Sequence, residues 1–146
     1  MWKWFYLSAL LAGAAAAADR PDLNGTWQLD PAHSQFTEDR LKSETLEIQQ
    51  KEDSIQISEA LTDPAGKERK SDVQCNTAGK ECKLKGEQVS FWYNGPILVM
   101  METRKGNEVV TKTSLKLDGE TLSVEVVHIA PAGEKNETLT FRKQKG

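Results

Sequence analysis

Two histidines and two cysteines are all that 146 residues offer of the side chains that most often bind metals or pair as nucleophile and base. The histidines, His33 and His128, lie far apart in the chain. A zinc-type site needs three or four ligands brought together, so no metal site is expected. No Gly-rich loop leads into a helix, which leaves nucleotides without a phosphate cradle, and no cofactor is expected. A Gly-x-Ser-x-Gly elbow is also missing. Ser34 sits beside His33, and adjacent residues rarely present both groups to one substrate atom, so no catalytic residue can be named. The acid pairs Glu38-Asp39 and Glu52-Asp53 fall in turn regions and read as solvated. Basic clusters are lacking as well. Without Lys3, 18 basic side chains face 22 acidic ones, a net of −4, with both signs mixed along the chain. Nucleic acid rewards concentrated positive charge and is not an expected partner.

The one long apolar run is N-terminal. Residues 1–18 carry a single charge, Lys3, then an apolar stretch over 4–11, Gly13, and an alanine tract ending Ala16-Ala17-Ala18 before Asp19-Arg20. This pattern reads as a secretory signal peptide cut after Ala18. It falls short of the roughly 20 apolar residues of a membrane anchor, so no membrane span is expected. No cysteine stands at the cut to accept a lipid. The expectation is a single soluble, monomeric domain over 19–146, exported to the periplasm or the medium. In an oxidising compartment Cys75 and Cys82 are expected to form a disulfide. If residues 76–81 form a hairpin loop, the bridge would join adjacent strands and lock that hairpin.

What the mature sequence has in quantity is alternation. Turn signals recur at Lys51-Glu52-Asp53, Asp63-Pro64-Ala65-Gly66, 76–79, Gly86, Asn94-Gly95, Lys105-Gly106-Asn107, Asp118-Gly119 and Pro131-Ala132-Gly133. Between them apolar residues repeat every second position, as in Leu46 and Ile48, Ile55 and Ile57, Leu122, Val124 and Val126, or Leu139 and Phe141. Such segments are half-buried strands. Asn94-Gly95 and Asp118-Gly119 predict type I′ hairpins. The fold class expected is all-β: an antiparallel up-and-down meander of eight to ten strands closing into a barrel. One short helix is allowed near 31–42, where Phe36 and Leu41 could cap a barrel end.

Gly25-Thr26-Trp27 at the opening, the meander, and Arg142 beside Phe141 on the last strand together resemble the lipocalin and fatty-acid-binding superfamily. That resemblance implies barrel-closing roles for Gly25, Trp27 and Arg142, with the Arg142 guanidinium lying over the Trp27 indole. More narrowly, the run Asp22-Leu23-Asn24-Gly25-Thr26-Trp27-Gln28-Leu29-Asp30-Pro31, with Ser34, Phe36 and the late Asp118-Gly119-Glu120-Thr121-Leu122, is similar to a family of small exported bacterial lipocalin-like proteins, most of which have no assigned activity.

The densest apolar stretch, 91–101, is apolar on both strand faces, and its second face must be buried against a cap, a partner or a ligand. Trp92, Tyr93 and Met100 are candidate ligand contacts, because indoles and thioethers fit varied apolar guests. The alternative is that they complete a filled core. His128 continues the Leu122, Val124, Val126 face and is a candidate polar contact, or a rim histidine satisfied by its neighbours. Two functions follow. One is a non-enzymatic carrier of a small, largely apolar molecule. The other is a filled barrel that binds a protein, in the manner of an envelope interaction or peptidase-inhibitor module. An enzyme using Glu125 or His128 at the barrel mouth is a third reading, with no second catalytic group to name. An interior cavity of roughly 300 Å³ or more separates the first from the second.

Overall fold

The computed structural model describes residues 20–35, 43–84, 86–104, 106 and 109–145; the expected signal peptide and Phe36 and Leu41 of the expected helix lie outside them. Ten strands follow one another: β1 (Gly25–Leu29), β2 (Ser43–Gln50), β3 (Ser54–Thr62), β4 (Glu68–Asn76), β5 (Cys82–Leu84), β6 (Glu87–Asn94), β7 (Ile97–Arg104), β8 (Val110–Asp118), β9 (Thr121–Ala130) and β10 (Gly133–Lys143). A 3-10 turn, Pro31–His33, occupies the start of the expected helical segment.

All ten strands form one antiparallel sheet in the order β4-β3-β2-β1-β10-β9-β8-β7-β6-β5. The expected meander is present, curled into a nearly closed barrel. β1 completes it on one side by pairing with both β2 and β10. The tight turns carry a one-residue difference from expectation. Asn94 pairs with Ile97 and Asp118 with Thr121, so Gly95-Pro96 and Gly119-Glu120 occupy the centres. Gly95 (φ 58°) and Gly119 (φ 63°) supply positive φ at the first central position. Proline at Pro96 holds φ negative, which rules out type I′ there.

Registers place the alternating apolar residues on one inner face, and the most deeply buried of them gather at one end. Leu23, Trp27, Ile48, Ile55, Phe91, Leu98, Leu122 and Phe141 are all buried in one cluster. Residues 20–24 plug this end. The Trp27 indole Nε1 donates to the Leu23 carbonyl (3.0 Å), satisfying the one polar atom of the largest buried side chain. Gln50 Oε1 accepts from Leu23 N (2.9 Å), while its Nε2 donates to the Pro21 carbonyl (3.0 Å) and to Tyr93 Oη (2.6 Å). The Arg20 guanidinium lies 4.7 Å from the Tyr93 ring centre. Gly25 is required where the chain enters β1: its φ is 135°, and a Cβ there would stand 2.9 Å from Lys143 Cε.

Register corrects the expected cation over Trp27. Trp27 pairs with Lys143 and Gln28 with Arg142, so Arg142 lies on the opposite face from Trp27. Lys143 supplies the cation, its Nζ 5.7 Å from the indole centre. Arg142 Nε donates instead to Asp30 Oδ2 (2.7 Å), which also contacts His33 Nδ1 (2.8 Å). These contacts, Arg142's foremost, hold the Asp30 carboxyl below its ordinary range.

Cys75 and Cys82 are bonded, with Cα atoms 5.8 Å apart. Their setting differs from the expected hairpin. β4 and β5 form the two ends of the sheet and do not pair with each other. Residues 77–79 reach across to β6 instead: Ala78 bridges Trp92, and Gly79 N donates to the Phe91 carbonyl (2.8 Å). The disulfide therefore staples the barrel where its backbone ladder is interrupted.

Replacing both cysteines by serine should lower unfolding free energy by about 2–3 kcal/mol, the chain-entropy value for so short a loop. Urea denaturation measures this, and hydrogen exchange should show the Gly79 amide losing protection first. An unchanged urea midpoint would show that the seam holds without the bond.

Candidate functional site

Beyond the plugged end the barrel is hollow. A cavity of about 430 Å³ lies between the sheet faces. Its apolar wall comes from Leu46 of β2, Ile57 of β3, Met100 of β7, Leu115 of β8, Val124 and Val126 of β9 and Leu139 of β10. These residues continue the period-two pattern of the core. They stand one step further along each strand, where no plug fills the space between them.

At the other end of the cavity the same inward positions turn polar. Glu44 precedes Leu46, Glu59 follows Ile57, Glu102 and Arg104 follow Met100, and His128 follows Val126, all lining the cavity with Thr111 and Thr113. Glu137, two residues before Leu139 and buried, occupies the inward position of β10 opposite Val126. Nothing turns these side chains outward, because in a strand the face is set by parity alone.

The electrostatics of this mouth are lopsided. Arg104 Nε donates to Glu87 Oε1 (2.7 Å), so the guanidinium is already engaged by a carboxylate from the neighbouring strand. Desolvation first, and then the Glu87 and Glu59 carboxylates, push Glu102 above the ordinary carboxylate range against the opposing pull of Arg104. His128 Nδ1 lies 3.2 Å from Thr111 Oγ1, and its Nε2 lies 3.9 Å from Glu137 Oε1.

The structure brings together only part of the expected site. Met100 and His128 both line the cavity. Trp92 does not: it pairs with Val99 on the outer face, and this is where the second apolar face of the 91–101 stretch is spent, with Val99 buried. Tyr93 faces inward but belongs to the plug, through Gln50 and Arg20. Glu125 pairs across to Ser114 and Thr138 on the outer face and is exposed. His33 and Ser34 serve the corner after β1. Ser34 Oγ donates to the Asp30 carbonyl (2.7 Å) and accepts from Thr140 N (2.9 Å), while His33 Nδ1 contacts Asp30 Oδ2.

Glu44, Glu59, Glu102 and Glu137 were missed by reading the sequence for apolar content, yet their signal is present. Each lies two residues from an inward apolar side chain in unbroken alternation. A polar residue at an inward position near a strand end marks a lined cavity rather than a core.

Glu102 makes stability depend on pH. Its folded pKa is raised above the ordinary 4.5, so the native state holds this proton more tightly than the unfolded chain does, and stability falls as pH rises from about 4.5 through the folded value. Glu102→Gln should therefore stabilise the protein at pH 7 and give no such gain at pH 4. Urea midpoints of the two proteins at both pH values decide it; an equal gain at both would rule out the charge as the cause.

The sequence matches no protein-family model and no curated protein. Solved structures do match in shape. The fluorescent protein UnaG superposes with a TM-score of 0.64 at 19% identity, covering 84% of this chain and 97% of that one. Fatty-acid-binding protein 1 of Echinococcus granulosus gives 0.63 at 10% identity, covering 84% and 98%. Zebrafish ileal bile acid-binding protein, in complex with cholic acid, gives 0.55 at 15% identity, covering 83% and 98%. At these identities the likeness is one of fold, and the chain folds as a ten-stranded barrel of the fatty-acid-binding-protein kind.

Proposed function

We propose that this protein is a non-enzymatic carrier that binds one small lipophilic molecule inside its barrel. The observation that carries the reading is the cavity of about 430 Å³, apolar through its depth and polar at one end. That size lies within the range of small-molecule sites, and an apolar wall with a few convergent polar groups is their usual lining. A barrel filled by its own side chains, as the protein-binding alternative requires, would leave no such space. The similar folds support the same direction: one is named for fatty-acid binding, another was solved with cholic acid. In this reading Met100 and His128 contact the ligand, and Trp92 does not.

We extend the proposal to location. The signal-like segment over 1–18 and the disulfide fit an exported, monomeric member of the lipocalin-like group. Closing the interrupted edge with a covalent bond suits an oxidising compartment.

The test is titration of the full mature chain with N-phenyl-1-naphthylamine, an uncharged dye that fluoresces in apolar surroundings. A saturable, one-to-one rise is expected. Val126→Trp, which fills the cavity, should abolish the rise while far-UV circular dichroism stays β-type, and Trp92→Ala should leave the affinity unchanged. A rise that survives Val126→Trp would place the dye elsewhere and remove the basis of the carrier reading.

A further inference from the structure

We propose that the ligand enters and leaves this cavity through the side of the barrel, by a slot between β4 and β5 whose inner end is fixed by the Cys75–Cys82 disulfide. This rests on the carrier reading and adds the route. The cavity is walled by β3 through Ile57, Glu59 and Leu61 and by β7 through Met100, Glu102 and Arg104, yet among the described residues none from β4, β5 or β6 lines it. The wall is therefore incomplete on the side where the sheet ends. From the cysteines towards the polar end, no backbone hydrogen bond among the described residues joins β4 to β5 or β6.

Burial along β4 gives the slot its extent. Pairing with Ile55, Ile57, Glu59 and Leu61 places Cys75, Val73, Ser71 and Arg69 on the inward face. Cys75 is buried and Val73 half-buried, while Ser71 and Arg69 are exposed. A strand within a closed barrel keeps its inward residues covered, so exposure of both faces over 68–72 marks an open edge. The composition agrees, since Glu68-Arg69-Lys70-Ser71-Asp72 has no apolar residue on either face. Val73 and Leu84 each stand two residues from a bonded cysteine, one on either edge, and both pack against the core. They give the slot apolar lips beside the disulfide. An apolar body passing there keeps apolar contact, whereas the axial end is ringed by Glu44, Glu102, Arg104 and His128. Widening the slot also breaks no ladder. Parting any two strands that neighbour each other in the sheet would break paired backbone hydrogen bonds, but β4 is paired on one side only, to β3. The disulfide holds the two edges together at the plugged end, which confines the movement to 68–73.

Stopped-flow mixing of N-phenyl-1-naphthylamine with the full mature chain tests the route. Ser71→Trp, which puts bulk on the inward side of the slot, should slow both association and dissociation by about tenfold, the effect of about 1.4 kcal/mol added to the barrier. Equilibrium affinity should stay as it was, because an obstacle on the path touches neither end state. Lys70→Trp, on the outward face of the same strand, should leave both rates unchanged. Cys75→Ser combined with Cys82→Ser, which frees the fixed end, should speed both. Rates unchanged in Ser71→Trp, or slowed only by Val109→Trp at the axial end, would overturn the side entry while leaving the carrier intact. No gain in the double variant would overturn the disulfide as the fixed end. If the unaltered protein does not bind the dye, the carrier reading falls and the route falls with it.

Discussion

Everything in this molecule depends on β1, a strand of five residues, pairing with a different strand on each side. β2 to β4 form one meander and β5 to β10 another, and β1 is where the two are sewn together, through Trp27, Gln28 and Leu29 to β10 and through 25–28 to β2. Without that pairing there would be two open sheets with solvated inner faces and no interior. Trp27 sits on this joint, buried, with its indole nitrogen tied to Leu23, so the strand that closes the barrel also anchors the plug. On the far side there is no ladder to do the same work. Among the described residues the join there is made by the Cys75–Cys82 disulfide, the isolated bridge between Ala78 and Trp92 and the hydrogen bond from Gly79 N to the Phe91 carbonyl.

Along the barrel the inward residues change character in order. The plugged end is close-packed and apolar, the middle is apolar but hollow, and the open end is lined with carboxylates. The first supplies stability; the last costs some, since Glu102 is held partly desolvated beside like charges. A stability-optimised barrel would carry apolar or uncharged residues at that position. Clustering of unfavourable charge in a cavity wall is the kind of local conflict that functional sites show.

Much of this was legible in the chain. Period-two alternation gave the strands, their inner faces and the meander, because a strand's two faces follow from backbone geometry alone. Gly25 and Trp27 marked the closed end, and His128 was found on an inward face by the same counting, while Met100 was singled out by its thioether in a stretch apolar on both sides. Trp92 was misplaced for a physical reason: in a stretch apolar on both sides, composition does not say which face is interior, and the pairing with Val99 settles that it is the outer one. Arg142 failed similarly. One residue of register separates it from Lys143, and that residue decides which of two cations reaches the indole.

The sequence by itself determined the fold class and the positions of the strands, since these rest on local periodicity. Tertiary structure decided the rest: that β4 and β5 do not pair, that the disulfide spans this interruption rather than a hairpin, and that carboxylates scattered from residue 44 to residue 102 meet around one cavity. Those facts depend on strands distant in sequence facing each other across a closed space. No local pattern encodes such distances, because the closure of the sheet, and not any single strand, sets them.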